Sequence, residues 1–351
     1  MITNLRLQNF RSYKDASFEF ESGVNVIVGP NASGKTNILE AILVVAQGKS
    51  YRAKDTELIR TKAPWSRLDA DIGSQHRVVK LEAATNVTTK TFEVDDKSFK
   101  RLSSANRIPV VLFEPKHLMM LDGSPELRRA FVDLLIEQVQ TGYTTLLNSY
   151  KRTLLQRNKL LKTQALSNHL FVWDLRLSEL GSKVVAARQA MIERLNQEAE
   201  AVYNQLALKD NQLSIIYDER INPDNYGTYL LKRLQADQQL DMLRGFTGAG
   251  PHREDIIFRL NTKLLAEAAS RGEVRTTLLA LKVLEIRVLE AHLDQKPLVL
   301  LDDVFSELDG ARRKALVNFI QPYQTFITTT DADVVGKSFA KNSYMISLNR
   351  V

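Results

Sequence analysis

From residue 1 to about 115, apolar side chains recur at every second position: Leu5 and Leu7, then Ala16, Phe18 and Phe20. Such alternation predicts half-buried strands. Val24 to Val28 forms a short apolar strand that runs into a glycine turn. Further strands are expected at Leu68 to Ile72, Val78 to Ala83, Thr91 to Val94 and Val110 to Phe113, where β-branched residues disfavour a helix. Asp95-Asp96 fits a hairpin turn or a strand end. After Gly123 the period changes. Ser124 suits a helix cap and Pro125 its first turn, and Leu127, Phe131, Leu134, Leu135 and Val139 fall at helical spacing. Leu147, Tyr150, Leu154 and Leu161 continue it. From Leu170 the spacing becomes an alternating three and four through Trp173, Leu177, Leu180, Val184, Ala187, Met191 and Leu195, a heptad seam. The polar interval Thr163 to His169 predicts a turn, and so an antiparallel helical hairpin; a helical subdomain without a long arm is the plainer alternative. The Pro-containing stretch Ile221 to Asn225 breaks the helices. Leu298 to Leu301 and Thr325 to Thr329 read as strands, each following a helical pattern, as in an α/β sheet.

Composition narrows the class. A chain of 351 residues exceeds the usual size of one hydrophobic core, so two lobes are expected. With 44% hydrophobic and 25% charged residues it reads as soluble and globular. No apolar run approaches the roughly 18 residues that span a bilayer, and Met1 to Phe10 alternates where a signal peptide would be continuously apolar. No membrane partner and a cytoplasmic address are therefore expected. The absence of cysteine excludes disulfides, thiolate zinc sites and thiol catalysis. A net charge of +7 favours a polyanionic partner such as nucleic acid.

The chemistry begins directly after the Val24 to Val28 strand. Gly29, Pro30, Asn31, Ala32, Ser33, Gly34, Lys35 and Thr36 match G-x-x-x-x-G-K-T and lead through Asn37 into the apolar-periodic helix Ile38 to Ala46. The glycines let backbone N–H groups turn toward phosphates, and the helix N-terminus adds positive potential. Lys35 reaches the β and γ phosphates of ATP, and Thr36 offers its hydroxyl to Mg2+. Far downstream, Leu298 to Leu301 ends in Asp302-Asp303, the pattern of a buried strand delivering carboxylates beside the phosphate loop. Asp302 would hold magnesium, directly or through water, and Asp303 would orient or deprotonate the attacking water. Roughly 265 positions separate Lys35 from Asp302, far beyond the spacing of compact enzymes of this type. The fold class expected is therefore α/β: an ABC-type P-loop ATPase head carrying an inserted, mainly helical, coiled-coil-like domain. Such a head needs a signature element, and Ser270-Arg271-Gly272-Glu273 stands where one belongs; a serine capping a helix start is the alternative reading.

These segments together resemble the RecF family, relatives of the structural-maintenance and double-strand-break-repair ABC ATPases. The likeness is carried by NFRSYKDASFEF (9–20), GPNASGKTNILEAI (29–42), GSPELRRAFVD (123–133), QRNKLLK (156–162), GPHREDI (250–256), SRGEVRT (270–276), LLDDVFSELD (300–309) and FITTTD (326–331). The resemblance implies a head split as 1–115 and 236–351 around a helical arm at 116–235. It implies an ATP-dependent homodimer in which Ser270 and Gly272 of one subunit cap the nucleotide on the other. Glu307, Leu308 and Asp309 match the D-loop at that interface, and Asp309 would cap a helix in either case. It further implies a weak, DNA-linked ATPase in recombinational repair. Such a protein binds DNA at single-strand/double-strand junctions or gaps, helps load recombinase with a RecR-like mediator, and is released by slow hydrolysis. Two departures stand out. Many members carry glutamine in place of Arg271 or Glu273, and in place of the usual switch histidine stand Thr328 to Asp331. Asp331 fits either a place near the γ-phosphate or a turn.

DNA contacts leave no sharp motif, because phosphate binding needs only exposed Lys and Arg. One candidate cluster is Lys49, Arg52 and Lys54 around Tyr51. The other is Lys151, Arg152, Arg157, Lys159 and Lys162, with no acidic residue between them; a solvated helix face is the alternative for both. Arg128, Arg129, His252 and Arg253 fit a dimer interface, the nucleotide or a structural role. Among rival readings, an ABC transporter ATPase would lack the helical insertion. A metabolic P-loop kinase would need a substrate pocket that no segment supplies, and a structural-maintenance protein would carry a far longer coil.

Overall fold

The computed structural model describes residues 1–84, 88–163, 167–218, 225–293, 295–305, 308–331 and 343–349. Two compact units share the chain, residues 1–115 with 289–351 and residues 116–288. The first unit opens with β1 (Ile2–Phe10), β2 (Tyr13–Glu19), β3 (Val24–Val28), α1 (Lys35–Gln47), α2 (Asp55–Leu58), β4 (Trp65–Ile72), β5 (Gln75–Ala83), β6 (Thr88–Val94), β7 (Lys97–Phe99) and β8 (Val110–Phe113). The second contains α3 (Leu118–Asp122), α4 (Pro125–Val139), α5 (Tyr143–Lys162), α6 (Ser167–Ala207), β9 (Leu213–Tyr217), α7 (Tyr226–Ala236), α8 (Gln238–Arg244), β10 (Ile256–Leu260), β11 (Lys263–Leu264), α9 (Leu265–Ala268) and most of α10 (Arg271–His292). The chain then completes the first unit with β12 (Leu298–Asp302), α11 (Gly310–Ile320), β13 (Thr325–Thr329) and β14 (Ser343–Ser347).

The first unit is built on two sheets with opposite burial patterns. One is antiparallel, ordered β2-β1-β4-β5-β6-β7. Its strands alternate: Leu68, Ala70 and Ile72 of β4 point inward while Trp65 and Arg67 do not. The other is parallel, ordered β14-β3-β13-β12-β8. Val299, Leu300 and Leu301 are enclosed, as are Phe326 and Ile327, because a parallel sheet is covered on both faces. Between the sheets lies α1, whose Ile38, Leu39, Ala41, Ile42 and Val44 join the same core as Leu5, Leu68, Leu81, Leu300 and Phe326. A helix apolar around most of its circumference must be buried, which explains why the residues after the phosphate loop show no polar face. Asp95 and Asp96 form the two-residue turn of the β6–β7 hairpin, with φ of 48° and 63° and Val94 paired to Lys97. Two left-handed residues make the turn whose twist matches the strands.

In the second unit α5 and α6 form the expected antiparallel pair, although 164–166 in the intervening polar segment lie outside the described residues. The seam is buried at Leu170, Leu177, Leu180, Val184, Met191 and Leu195. At 41 residues α6 is about 60 Å long, whereas α5, at 20, is about 30 Å. The hairpin is thus no longer than α5. Beyond it α6 packs on α7 and β9, so the unit is a helical subdomain with a short hairpin. Asn196 of α6 bonds both the N–H and the C=O of Ile215, satisfying the middle residue of β9 on the edge that β10 leaves free. Residues 236–288, expected with the C-terminal head, pack within this unit through α8, β10 and most of α10.

Arg157 corrects one expectation. Placed in a basic cluster by its neighbours, it is fully enclosed and unavailable to DNA. Its guanidinium donates to Asp174 at 2.6 Å, to Asp241 at 2.7 Å, to Thr247 Oγ1 and to the Leu234 carbonyl, tying together α5, α6, α7 and α8. Replacing it would leave two carboxylates buried without their cation. Arg157→Met is expected to cost about 3–5 kcal/mol in urea unfolding. A loss below about 1 kcal/mol would contradict this role.

Candidate nucleotide site

The parallel sheet sets the carboxyl ends of β3, β13 and β12 side by side, with Thr328 paired to both Ile27 and Asp302. Ligands of open α/β sheets bind outside those ends. The loop leaving β3 reaches α1 through two left-handed residues, Ala32 at φ 65° and Gly34 at φ 92°. Gly34 is required twice over, because a Cβ there would also lie 2.6 Å from Tyr13 Oη. At Gly29 a Cβ would meet Ser33 Oγ at 2.6 Å and the Leu348 carbonyl at 2.9 Å. Lys35 folds back over its own loop, donating to the carbonyls of Gly29 (2.8 Å) and Pro30 (2.9 Å). The buried hydroxyls of Ser33 and Tyr13 have no hydrogen-bond partner among the described residues. A glycine-lined loop at a helix N-terminus, with a lysine and an unsatisfied hydroxyl, fits an anion of polyphosphate type.

Asp302 meets this loop from the far end of the chain. Thr36 Oγ1 donates to its Oδ1 at 2.9 Å, Thr328 Oγ1 donates to the same oxygen at 2.8 Å, and Tyr51 Oη reaches Oδ2 at 3.3 Å. Asp303 adopts a left-handed backbone, φ 53°, and its N–H donates to Thr328 Oγ1 and to the Thr328 carbonyl. Such a conformation is sparsely populated outside glycine and collects at functional sites. Burial draws the Lys35 ammonium below its ordinary value, and the carboxylates of Asp303 and Asp302 pull it back up. Cation and carboxylates therefore share one field. A hydroxyl and a carboxylate 2.9 Å apart are hard oxygen donors, the kind magnesium takes one or two of before completing its shell with phosphate and water.

Behind the loop lies a second charged cluster. Glu40 of α1, with no exposed surface, accepts both forks of Arg11 at 2.8 Å, the Arg52 guanidinium at 3.1 Å and the Ser50 hydroxyl at 2.5 Å. Arg11 is itself left-handed, φ 52°. Despite its own burial, the Glu40 carboxyl is held below its usual range by Arg11, Ser50 and Arg52. Asn37, next to Thr36, joins this second cluster by accepting from Arg52 at 2.6 Å, and it donates to Ser12 Oγ.

The other expected residues distribute as follows. Ser270 caps α10 in a reciprocal box: Glu273 N–H donates to Ser270 Oγ, and Glu273 Oε2 accepts from the Ser270 N–H and hydroxyl at 2.7 Å each. Both Ser270 and Gly272 belong to the second unit, whereas Lys35 and Asp302 belong to the first. Asp309 caps α11 by accepting from the Arg312 N–H, Leu308 is buried, and Glu307 lies outside the described residues. Asp331 forms a turn with Thr329. Lys49, Lys54, Lys151, Arg152, Lys159 and Lys162 are exposed, while Arg52 is tied to Glu40 and Asn37. Arg128 grips Asp255 with both forks, Arg129 donates to the Glu254 carbonyl, and Arg253 lies over the Phe246 ring. His252 Nε2 faces the Thr247 carbonyl, so it carries the proton and Nδ1 accepts from Tyr150 Oη at 2.7 Å. Burial pushes that imidazole down to about 4. These contacts give Arg128, Arg129 and His252 structural positions in the second unit.

The RecF/RecN/SMC N-terminal domain family matches residues 1–350. The chain belongs to this family. Among relatives named DNA replication and repair protein RecF, that of Natranaerobius thermophilus is 35% identical over 96% of this chain and 95% of its own length. That of Bacillus cytotoxicus is 35% identical over 98% and 96%. The solved structure of the recombination mediator protein RecF-ATP in the RecFOR pathway superposes with a TM-score of 0.83 at 29% identity, covering 94% of this chain and 92% of that one. An Smc head bound to the C-terminal winged-helix domain of ScpA, at 15% identity and a TM-score of 0.55, shares the fold. The chain is thus a RecF-type member with the head fold common to the family.

Glu40 and Arg11 were not expected at the site, Tyr51 was expected only within a cationic cluster, and Thr328 only where a switch histidine would stand. Glu40 carried a usable signal, since a lone carboxylate within the apolar run NILEAILVV has to be enclosed and therefore needs cations. Tyr51 carried none, because its contact with Asp302 spans 251 positions. Gly34→Ala should cost roughly 1–3 kcal/mol through forced left-handed backbone alone. Adding Tyr13→Phe, which removes the nearest atom, should recover part of the thermal stability. No recovery would contradict the close approach.

Proposed function

We infer that this chain is an ATP-driven DNA repair switch of the RecF kind, acting in the cytoplasm. The observation that carries the reading is the Thr36–Asp302 contact, which joins the phosphate loop to a strand-end carboxylate within a RecF-type chain. Bound Mg2+ would supply charge neutralisation of the phosphates, and Thr36 and Asp302 are the residues to hold it. The loop from Gly29 to Asn37 would cradle the nucleotide, Lys35 would turn from its loop carbonyls to the β and γ phosphates, and Asp303 would orient the attacking water.

The signature acts across two copies. Ser270 stands exposed at the N-terminus of a 22-residue helix, where backbone N–H groups and the dipole favour an anion. With Gly272 allowing close approach, it caps the γ-phosphate held by a second copy, with Leu308 and Asp309 at the same interface. ATP then stabilises the dimer because the γ-phosphate is bound from both sides only in the closed state, and slow hydrolysis removes that difference. Residues 1–115 and 289–351 supply the phosphate loop and Asp302-Asp303, 236–288 supply the signature from within the second unit, and 116–235 form the arm. The exposed Lys49, Lys54, Lys151 and Arg152, with Arg52, take DNA backbone at a junction or gap. A RecR-like mediator is the protein partner in recombinase loading.

Fluorescence anisotropy of a single-strand/duplex junction with ATP, ADP or no nucleotide, at two salt concentrations, tests this. Wild type should bind with ATP, and less tightly at higher salt. Lys35→Ala should lose nucleotide and junction together, whereas Ser270→Arg should keep nucleotide and lose ATP-dependent junction binding. Equal binding in every nucleotide state would contradict the switch.

A further inference from the structure

We propose that Tyr51 is a positioning residue for the magnesium carboxylate, aimed at Asp302 by the buried Glu40 cluster. The inference rests on the magnesium reading of Thr36 and Asp302. Thr36 and Thr328 both donate to Asp302 Oδ1 and neither reaches Oδ2, so the pitch of the carboxylate about its Cβ–Cγ bond is set from one oxygen alone. Such terminal torsions are broad. The Tyr51 hydroxyl engages the other oxygen, Oδ2, at 3.3 Å and supplies the second point of a two-point hold. Outer contacts of this kind orient a metal ligand and set its affinity.

The aim of Tyr51 is itself built. On one side of it, Ser50 Oγ donates to Glu40 and accepts the N–H groups of Arg52 and Ala53 at 3.1 Å each. On the other, the Arg52 side chain is anchored to Glu40 and Asn37. Both chain neighbours of Tyr51 are therefore pinned to α1, the helix that also carries Thr36. The hydroxyl and Thr36 thus approach Asp302 from one rigid element, and the left-handed Arg11 completes the clamp on Glu40.

The test is a magnesium titration of fluorescent-ATP binding at fixed nucleotide, with thermal unfolding to confirm folding. In Tyr51→Phe the half-saturating Mg2+ should rise about tenfold, while nucleotide affinity at saturating Mg2+ returns to within about twofold of wild type. Ser50→Ala should shift the midpoint in the same direction by a smaller factor. A wild-type midpoint in Tyr51→Phe overturns the proposal. So does an affinity loss of equal size at every magnesium concentration, which would mark Tyr51 as packing for the loop. Wild-type binding that ignores magnesium would overturn the underlying magnesium reading, and so is distinguishable from failure at Tyr51 alone.

Discussion

Thr36 and Asp302 are separated by 266 positions and joined by a 2.9 Å hydrogen bond, and that closure constrains the rest of the first unit. Thr36 opens α1 and Asp302 closes β12, so β3, β13 and β12 must lie parallel with their carboxyl ends level. Parallel neighbours need crossovers, and the second unit occupies the longest of them, between β8 and β12. The apolar strands are buried on both faces and do not fix their own register, but a one-residue slip would turn Asp302 away from Thr36.

Two polar clusters are buried for different reasons. Arg157, Asp174 and Asp241 hold helices of the second unit together, and losing the cation would strand two buried carboxylates. Glu40 with Arg11, Arg52 and Ser50 fixes the loop after α1, whose Tyr51 touches Asp302. In the first case the charges serve the fold. In the second, strained backbone at Arg11 and Asp303 gathers around the atoms that would meet a nucleotide, where such strain is expected.

What the sequence disclosed follows the range of the physics. Short apolar and β-branched runs located β3 and β8 to the residue and β12 to within one, because such a run is a local signal, and β13 was found by its place after a helical pattern. The phosphate loop was legible since its glycines and lysine are contiguous. The heptad seam announced the α5–α6 pair but not its length, which depends on where α7 and β9 take over the face of α6. Arg157 was misread because a basic run looks alike whether it faces water or two aspartates. Of the partners of Asp302, Thr36 was expected, whereas Tyr51 and Thr328 reach it through the tertiary fold alone.

The proposed magnesium-nucleotide site joins Thr36 and Asp302 across 266 positions of the chain. Titration calorimetry of ATP with and without Mg2+, for wild type and Asp302→Asn, addresses it most directly. Wild type should bind at least about tenfold more tightly with magnesium, and Asp302→Asn should lose that gain while keeping its magnesium-free affinity. An asparagine variant that retains the full gain would place the metal elsewhere and contradict the account.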